Sequence, residues 1–257
     1  MKFLAVIGAQ RSGSTYLYQL LNNHPQIVMA EPVFPEPKFF LDENLFNKGK
    51  KYYQKKYFNN IDDKTLYVGE KSTSYIEHIT SALRIKEFYP DARILIILRD
   101  PVARAYSNYC FSRENQLETL TFAKALNAEK QRLTDKQLTT SVNPFAYRER
   151  GNYINYIEPY FEIFNQNQIK VLIFEELVNS IEYTKDLYKW LGVDSQFVPD
   201  SLSKVYNKVT ILQNDQPIHV FKDLAVGYQD SISQLEKKIV GLSLNIWRNN
   251  HKKIISS

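Results

Sequence analysis

Two glycines near the start of the chain enclose residues that could bind an anion. Gly8 and Gly13 have Arg11 between them, and hydroxyl side chains follow at Ser14 and Thr15. A short apolar run precedes Gly8 and helical periodicity follows Thr15, which predicts a strand, a loop and a helix. The N–H groups of such a loop and the positive end of the helix dipole converge on one point. An ordinary turn with a tolerated arginine is the alternative, and we favour an oxyanion site.

The spacing of the two glycines is that of the nucleotide-binding P-loop, G-x-x-x-x-G-K-[ST], with Thr15 in the hydroxyl position. Ser14 stands where that motif needs a lysine to reach the outer phosphates. Without this lysine, and without an evident acidic ligand for magnesium, phosphoryl transfer from ATP is disfavoured. A small-molecule kinase stays an alternative, and a bound anion is still expected.

The segment Arg11-Ser12-Gly13-Ser14-Thr15 resembles the loop that holds the 5′-phosphosulfate in sulfotransferases that use 3′-phosphoadenosine 5′-phosphosulfate (PAPS). In that family the first strand leads into a basic residue, then serine or glycine, glycine, and serine or threonine. The resemblance implies a catalytic role for Arg11, as the cation on the bridging or sulfuryl oxygens. It implies cofactor-binding roles for Arg11, Ser12, Gly13, Ser14, Thr15 and Tyr16.

A second motif follows the most apolar stretch of the chain, Ala92–Leu98. The residues from the end of this stretch resemble the family signature Leu-Arg-Asp-Pro-x-x-Arg-x-x-Ser-x-Tyr. The resemblance implies that Arg99 and Ser107 hold the 3′-phosphate of PAPS, and the planar guanidinium of an arginine suits a phosphate. For Arg104 we favour a plain ion pair with Asp100, four residues earlier on the same helix.

Two further segments carry candidate groups for the acceptor. Glu36-Pro37-Lys38-Phe39-Phe40 resembles the Glu-x-His-Phe-Phe segment of Golgi-type carbohydrate sulfotransferases, with Lys38 in place of the histidine. This likeness implies that Glu36 is the general base, and an extended backbone would put Lys38 on the same side as Glu36. The segment from Glu70 to Tyr75 resembles the family's Glu-Lys-Thr-Pro-x-Tyr, which implies a catalytic Lys71. A solvated proline-rich loop and a polar helix cap are the alternatives.

These residues need a scaffold that brings the ends of several strands to one edge. The apolar run Ala92–Leu98 predicts a central strand covered on both faces, and therefore a parallel sheet flanked by helices. Further strands are expected at 3–7, 66–70 and 168–177, with a short edge strand at 26–30. The fold class is α/β, and the resemblance implies a P-loop-like three-layer fold in a single domain over residues 1–257.

Three other segments carry weaker predictions. Lysines alternate with aromatic residues over Lys50–Phe58, which favours an amphipathic helix over a nucleic-acid patch. Ile232–Ile246 is typical of a final amphipathic helix. Lys204–Lys208 resembles the family's lysine-asparagine segment before its last nucleotide loop, but the expected basic, glycine-containing loop does not follow.

Composition limits the cellular compartments and the classes of binding partner that we expect. The chain has 257 residues, a net charge of +5 and one cysteine, Cys110. No apolar run approaches the roughly 20 residues that cross a membrane, and the first strand begins at once, so a cytoplasmic protein without membrane association is expected. No long basic block indicates nucleic acid. The four histidines lack metal-ligand spacing, so no metal is predicted.

The resemblance therefore implies a PAPS-dependent sulfotransferase that forms adenosine 3′,5′-bisphosphate (PAP) as product. We expect the acceptor group to be a hydroxyl, in preference to an amine, on a small metabolite or carbohydrate. A small-molecule kinase and a non-catalytic nucleotide-binding module are the alternatives. The acceptor's identity and the oligomeric state, a homodimer included, stay open.

Overall fold

The computed structural model describes residues 1–134, 142–204 and 218–257. In these residues five strands form one parallel sheet in the order β2-β3-β1-β4-β5. The strands are β1 (Lys2–Gly8), β2 (Ile27–Met29), β3 (Tyr67–Lys71), β4 (Arg93–Leu98) and β5 (Ile169–Ile173). The predicted α/β fold with a central parallel sheet flanked by helices is confirmed.

Strand composition explains the order of the sheet. β1 and β4 are apolar almost throughout and almost fully buried, as interior parallel strands must be. β1 occupies the middle position, and β4, which the sequence placed at the centre, lies beside it. The three-residue β2 forms one edge, as predicted for that short segment.

The described residues contain twelve α-helices. They are α1 (Ser14–Asn22), α2 (Glu43–Phe46), α3 (Gly49–Tyr57), α4 (Ile79–Phe88), α5 (Pro101–Glu114), α6 (Phe122–Leu133), α7 (Tyr153–Ile163), α8 (Phe174–Leu177), α9 (Ile181–Leu191), α10 (Ile218–Gly227), α11 (Gln229–Lys238) and α12 (Asn245–Ser256). Short 3-10 turns lie at Tyr75–Glu77, Glu149–Gly151 and Gln166–Gln168.

The chain divides into two compact units. The first comprises Met1–Leu98 and Ile157–Asn207, and the second comprises Arg99–Tyr156 and Lys208–Ser257. The first unit therefore contains the whole sheet. The expectation of a single domain over residues 1–257 stays a prediction.

The main core of the first unit lies between the sheet and two helices. Leucines of α1 pack with Val6 of β1 and Leu95 of β4, and α9 adds Leu187 and Tyr188 to the same cluster. Burying side chains of this size contributes about 1.5–3 kcal/mol each. The core thus holds β1 and α1 in place, and with them the loop that joins them.

Helix α3 forms as the sequence predicts. Its Tyr53 and Tyr57 are buried while Lys51, Lys55 and Lys56 are exposed. The amphipathic interpretation of this lysine-rich segment is therefore confirmed.

Two predicted elements end differently in the structure. The strand expected to run to Leu177 stops at Ile173, where the chain turns into α8. The helix expected over Ile232–Ile246 is instead the end of α11 and the start of α12, because Gly241 between them has φ +79, outside the helical region. Within the lysine-asparagine segment, residues 205–208 lie outside the described residues.

Candidate functional site

The loop between β1 and α1 has the form predicted for an anion cradle. β1 ends at Gly8 and α1 begins at Ser14, with Gly13 as its N-cap at φ +87. A Cβ on Gly13 would lie 2.3 Å from Phe174 Cδ2, so both the backbone angle and the close ring require glycine. Arg11 is half-buried and also has a positive φ of 63.

Polar groups of this loop fit a bound oxyanion. Ser12 is fully buried, and its Oγ has no hydrogen-bond partner within the described chain. The first helical hydrogen bond of α1 runs from Leu17 N to Gly13 O (3.1 Å). The N–H groups of Ser14, Thr15 and Tyr16 precede that bond, so they point out of the helix start. Hydroxyl and amide donors of this kind match the 5′-phosphosulfate of PAPS.

The side chain of Tyr16 serves the scaffold. Its hydroxyl donates to Leu202 O (2.7 Å) and accepts from Asn179 N (3.1 Å), and the ring is buried. The predicted nucleotide role of Tyr16 therefore rests on its backbone N–H at the start of α1.

The structure brings Glu36, Lys71 and Thr73 into one cluster. Glu36 Oε1 accepts from Lys71 Nζ at 2.6 Å. Glu36 Oε2 accepts from Thr73 N at 2.9 Å, and Thr73 Oγ1 lies 3.0 and 3.1 Å from the two carboxylate oxygens. The side chain of Lys71 is 2% exposed and that of Glu36 is 12% exposed, so the carboxylate is the more accessible of the two groups.

This cluster lies at the same edge of the sheet as the anion loop. Lys71 ends β3, which pairs in parallel with β1, and the register puts Lys71 beside Val6. Ser72 N donates to Val6 O at 3.1 Å. The carboxyl ends of adjacent parallel strands are where open α/β sheets bind their ligands. Two candidate groups far apart in sequence therefore share one sheet edge within the first unit.

A buried carboxylate supports the segment that carries Glu36. Glu70 is fully buried and accepts hydrogen bonds from the hydroxyls of Tyr53, Ser72 (2.7 Å) and Tyr75. Burial raises the pKa of Glu70, while the three hydroxyl donors act in the opposite direction. Burial and the neighbouring Glu70 charge raise the pKa of Tyr53 and Tyr75 well above the ordinary range, so both hydroxyls keep the protons that they donate.

Two of these hydroxyls also accept hydrogen bonds from the backbone of the segment that follows Glu36. Ser72 Oγ accepts from Lys38 N (2.9 Å), and Tyr75 OH accepts from Phe40 N (2.9 Å). Lys38 has φ 49, which is left-handed, so the chain is not extended there. The expectation that Glu36 and Lys38 share one side of an extended segment is therefore wrong.

The sequence missed the role of Glu70 and the contact of Thr73 with Glu36. From the sequence, Glu70 is only the first residue of a motif, and no role is assigned to Thr73. A glutamate directly after the apolar run Leu66–Gly69 was the available signal, because a buried carboxylate needs several hydrogen-bond donors. No comparable signal indicated Thr73, since its contact is made across 37 residues of sequence.

The second motif belongs to the second unit. Arg99 follows β4, and its carbonyl accepts from Tyr153 OH at 2.7 Å. Asp100 is the N-cap of α5, accepting from Val102 N at 2.9 Å, and Pro101 occupies the first turn. Ser107 is buried within α5. That Arg99 and Ser107 meet the loop of the first unit around one nucleotide stays a prediction.

Arg104 is fully buried in the second unit, where it donates to Tyr147 O. Asp100 pairs instead with His251, whose Nε2 lies 3.0 Å from Asp100 Oδ1. The side chains of Asp100 and Arg104 thus have other partners than the i, i+4 ion pair expected between them.

The described ranges contain neither a metal-binding cluster nor a helix that could cross a membrane. Across residues 1–134, 142–204 and 218–257, no group of three or more His, Cys, Asp and Glu side chains is arranged to hold a metal ion. Within the same ranges, each helix is too short or too polar to cross a membrane. Metal independence and a cytoplasmic location stay predictions.

Comparison with known proteins gives a consistent result. A family model described as "Sulfotransferase domain" matches residues 3–225. The chain is 28% identical over 201 residues to the bifunctional heparan sulfate N-deacetylase/N-sulfotransferase 1 of Caenorhabditis briggsae, and 28% identical over 203 residues to that of Homo sapiens. Each match covers 74% of this chain and 22% of the relative, so the chain spans about a fifth of the length of these curated relatives.

Among solved structures, the chain resembles a sulfotransferase from Alicyclobacillus acidocaldarius. The TM-score is 0.77 at 27% sequence identity, over 96% of this chain and 99% of the other. The similarity therefore extends over nearly the whole length of both chains.

Proposed function

Because the chain belongs to the sulfotransferase domain family, we propose that it transfers the sulfuryl group of PAPS to a nucleophilic group of a carbohydrate or small metabolite, with Glu36 as the general base. The observation that carries the proposal is the Glu36–Lys71–Thr73 cluster at the sheet edge that also bears the Gly8–Thr15 loop. A base and an anion cradle on neighbouring strands are what a transfer between an acceptor and a phosphosulfate requires.

The loop between β1 and α1 would bind the sulfuryl donor. When bound, PAPS supplies an activated sulfuryl group and a phosphate-ester leaving group. Ser12, Ser14 and Thr15 would hold the 5′-phosphosulfate with hydroxyl and backbone donors, and Arg11 would balance the charge on its oxygens. The loop thereby fixes one reactant at the end of β1.

Glu36 is positioned to take the acceptor's proton. Lys71 and Thr73 orient both of its oxygens, and each carboxylate oxygen can accept more than one hydrogen bond. Lys71 Nζ carries two further protons besides the one directed at Glu36, and they would face the sulfuryl oxygens. A glutamate at neutral pH is a weak base, so this role depends on its position more than on its basicity.

The acceptor group is a finer part of the proposal. Residue reasoning favours a hydroxyl over an amine, whereas the printed name of the relatives, heparan sulfate N-sulfotransferase, favours an amino group on a glycan. Both kinds of acceptor therefore belong in the test.

The test is substitution of Glu36 by Gln, with Glu31→Gln as a matched control. Glu31 is an exposed acid in the same proline-rich loop. General bases contribute about 10²–10⁴-fold, so kcat with labelled PAPS should fall at least about a hundredfold in Glu36→Gln while PAP affinity by calorimetry is retained. The acceptor panel would contain hydroxylated metabolites, desulfated glycans and N-deacetylated glycans.

Each other outcome has a definite meaning. Unchanged turnover in Glu36→Gln removes the glutamate from its role, and an equal loss in Glu31→Gln attributes the effect to the loop's charge. PAP binding without transfer to any acceptor supports the non-catalytic alternative. Thermal stabilisation by ATP with magnesium, but not by PAP, supports a kinase.

A further inference from the structure

The last helix, α12, buries two of its side chains. Trp247 and His251 are both 0% exposed, while Lys252 and Lys253 face solvent. Trp247 and His251 are four residues apart and so lie on one face of the helix. The family model ends at residue 225, so α12 lies beyond the region that the model describes.

His251 contacts the motif that was assigned to the 3′-phosphate. Its Nε2 lies 3.0 Å from Asp100 Oδ1, and its Nδ1 lies 3.4 Å from Gln229 Nε2. An amide nitrogen only donates, so Nδ1 accepts from Gln229 and Nε2 carries the proton that is donated to Asp100. Gln229 Nε2 also donates to Ala225 O at 3.0 Å, which fixes the amide.

The Asp100 carboxylate in turn fixes the start of α5. The same Oδ1 that accepts from His251 accepts from Val102 N at 2.9 Å. An aspartate at the N-cap stabilises a helix by about 0.5–2 kcal/mol relative to alanine. His251 therefore bonds the same carboxylate oxygen that caps α5.

A second link joins α12 to the neighbouring residue, Arg99, through Tyr153 of α7. Tyr153 OH donates to Arg99 O at 2.7 Å, and the Tyr153 ring lies 6.0 Å from the Trp247 ring between centroids. Both residues of the Arg99-Asp100 turn are thus held by groups that rest on α12, one through its carbonyl and one through its side chain.

We propose that His251 is a positioning residue that sets the direction of Arg99 toward the 3′-phosphate of PAPS, with α12 acting as the brace for this turn. The inference rests on the proposed function, since it assumes that Arg99 binds that phosphate. An arginine has several rotatable bonds, so its guanidinium meets a phosphate reliably only when its backbone is fixed.

The experiment measures two affinities by calorimetry, for PAP and for adenosine 5′-monophosphate, which lacks the 3′-phosphate. The dissociation constant of adenosine 5′-monophosphate divided by that of PAP measures the contribution of the 3′-phosphate contact. We expect His251→Leu to reduce this ratio about tenfold, as for the loss of one hydrogen bond to a charged group. His251→Gln, which keeps a donor near the position of Nε2, should restore most of it.

The control is His219→Leu, the same substitution at an exposed histidine of α10. It should leave the ratio unchanged. If His251→Leu does not fold, Tyr153→Phe replaces it, because this change removes only the hydroxyl on Arg99 O and should lower the ratio several-fold.

An unchanged ratio in folded His251→Leu or Tyr153→Phe overturns the inference. An equal weakening of both ligands also overturns it, because His251 would then be merely structural. Failure of the wild-type chain to bind PAP at all would instead reject the proposed function, and this inference with it.

Discussion

Tyr53→Phe is the sharpest test of the buried carboxylate that supports the candidate base. The change removes one hydroxyl from a ring that is 0% exposed and leaves Glu70 without one of its three hydroxyl donors. A hydrogen bond to a buried charged group contributes about 1.5–3 kcal/mol, so the free energy of unfolding at pH 7 should fall by about 2 kcal/mol. With an unfolding entropy near 2 cal/mol/K per residue, Tm falls by about 4 °C.

Tyr67→Phe is the matched control for this substitution. Tyr67 is equally buried, and its hydroxyl donates to a neutral acceptor, Leu191 O, at 2.9 Å. A neutral hydrogen bond contributes about 1 kcal/mol. The control should therefore cost about half as much as Tyr53→Phe.

The dependence on pH separates the two variants further. Burial raises the pKa of Glu70 in the folded chain, and the Tyr53 bond works against that rise, so its removal raises the folded pKa of Glu70 further. Below the ordinary glutamate pKa of 4.5, Glu70 is protonated in both states and the difference from wild type is smallest. As pH rises through the folded pKa the variant loses more stability than wild type. The cost of Tyr67→Phe should not change over this range.

The assay is urea unfolding of the three proteins from pH 4 to pH 8, followed by tryptophan fluorescence. Equal costs for the two substitutions, or a Tyr53→Phe cost that does not grow with pH, would refute the picture of an ionisable Glu70 held by hydroxyl donors. The sulfotransferase turnover of Tyr53→Phe shows whether the loss of this hydrogen bond also affects Glu36.

Two further predictions concern the anion loop and the second motif. Gly13→Ala should destabilise the chain by clearly more than Gly49→Ala. Both glycines have a positive φ (+87 and +81), which costs an alanine about 1–2 kcal/mol, but only a Cβ on Gly13 meets a ring, that of Phe174 at 2.3 Å. Equal costs in thermal denaturation, or unaltered PAP binding in Gly13→Ala, would contradict this. Arg99→Ala should weaken PAP at least about tenfold, as for a charge-assisted pair, while adenosine 5′-phosphosulfate is bound as before; calorimetry that shows the same loss for both ligands would remove Arg99 from the 3′-phosphate.

The fold was predictable where one local signal dominated. Continuous apolar runs identified β1 and β4, and Pro101 after Asp100 identified the start of α5. The final helix was less predictable, because a single glycine inside a periodic segment is often tolerated. At Gly241 the chain uses the positive φ that glycine permits, and the periodic pattern on either side belongs to two helices.

The site was predictable as separate segments but not as a cluster. Motifs located Glu36 and Lys71, yet the 2.6 Å contact between them depends on where β3 pairs with β1 and on how the proline-rich loop returns to that edge. Both are long-range features. A sequence pattern carries little information about them, because register is determined by packing across the whole sheet.

The contacts of Lys38 explain how the chain can depart from the family motif without losing the position of Glu36. The structure joins this residue to the support network through its backbone N–H, which donates to Ser72 Oγ, and the adjacent anchor is again a backbone group, Phe40 N on Tyr75 OH. Any residue other than proline can supply such a donor. A lysine at this position, where the resembled segment has a histidine, therefore leaves both backbone anchors of the loop in place.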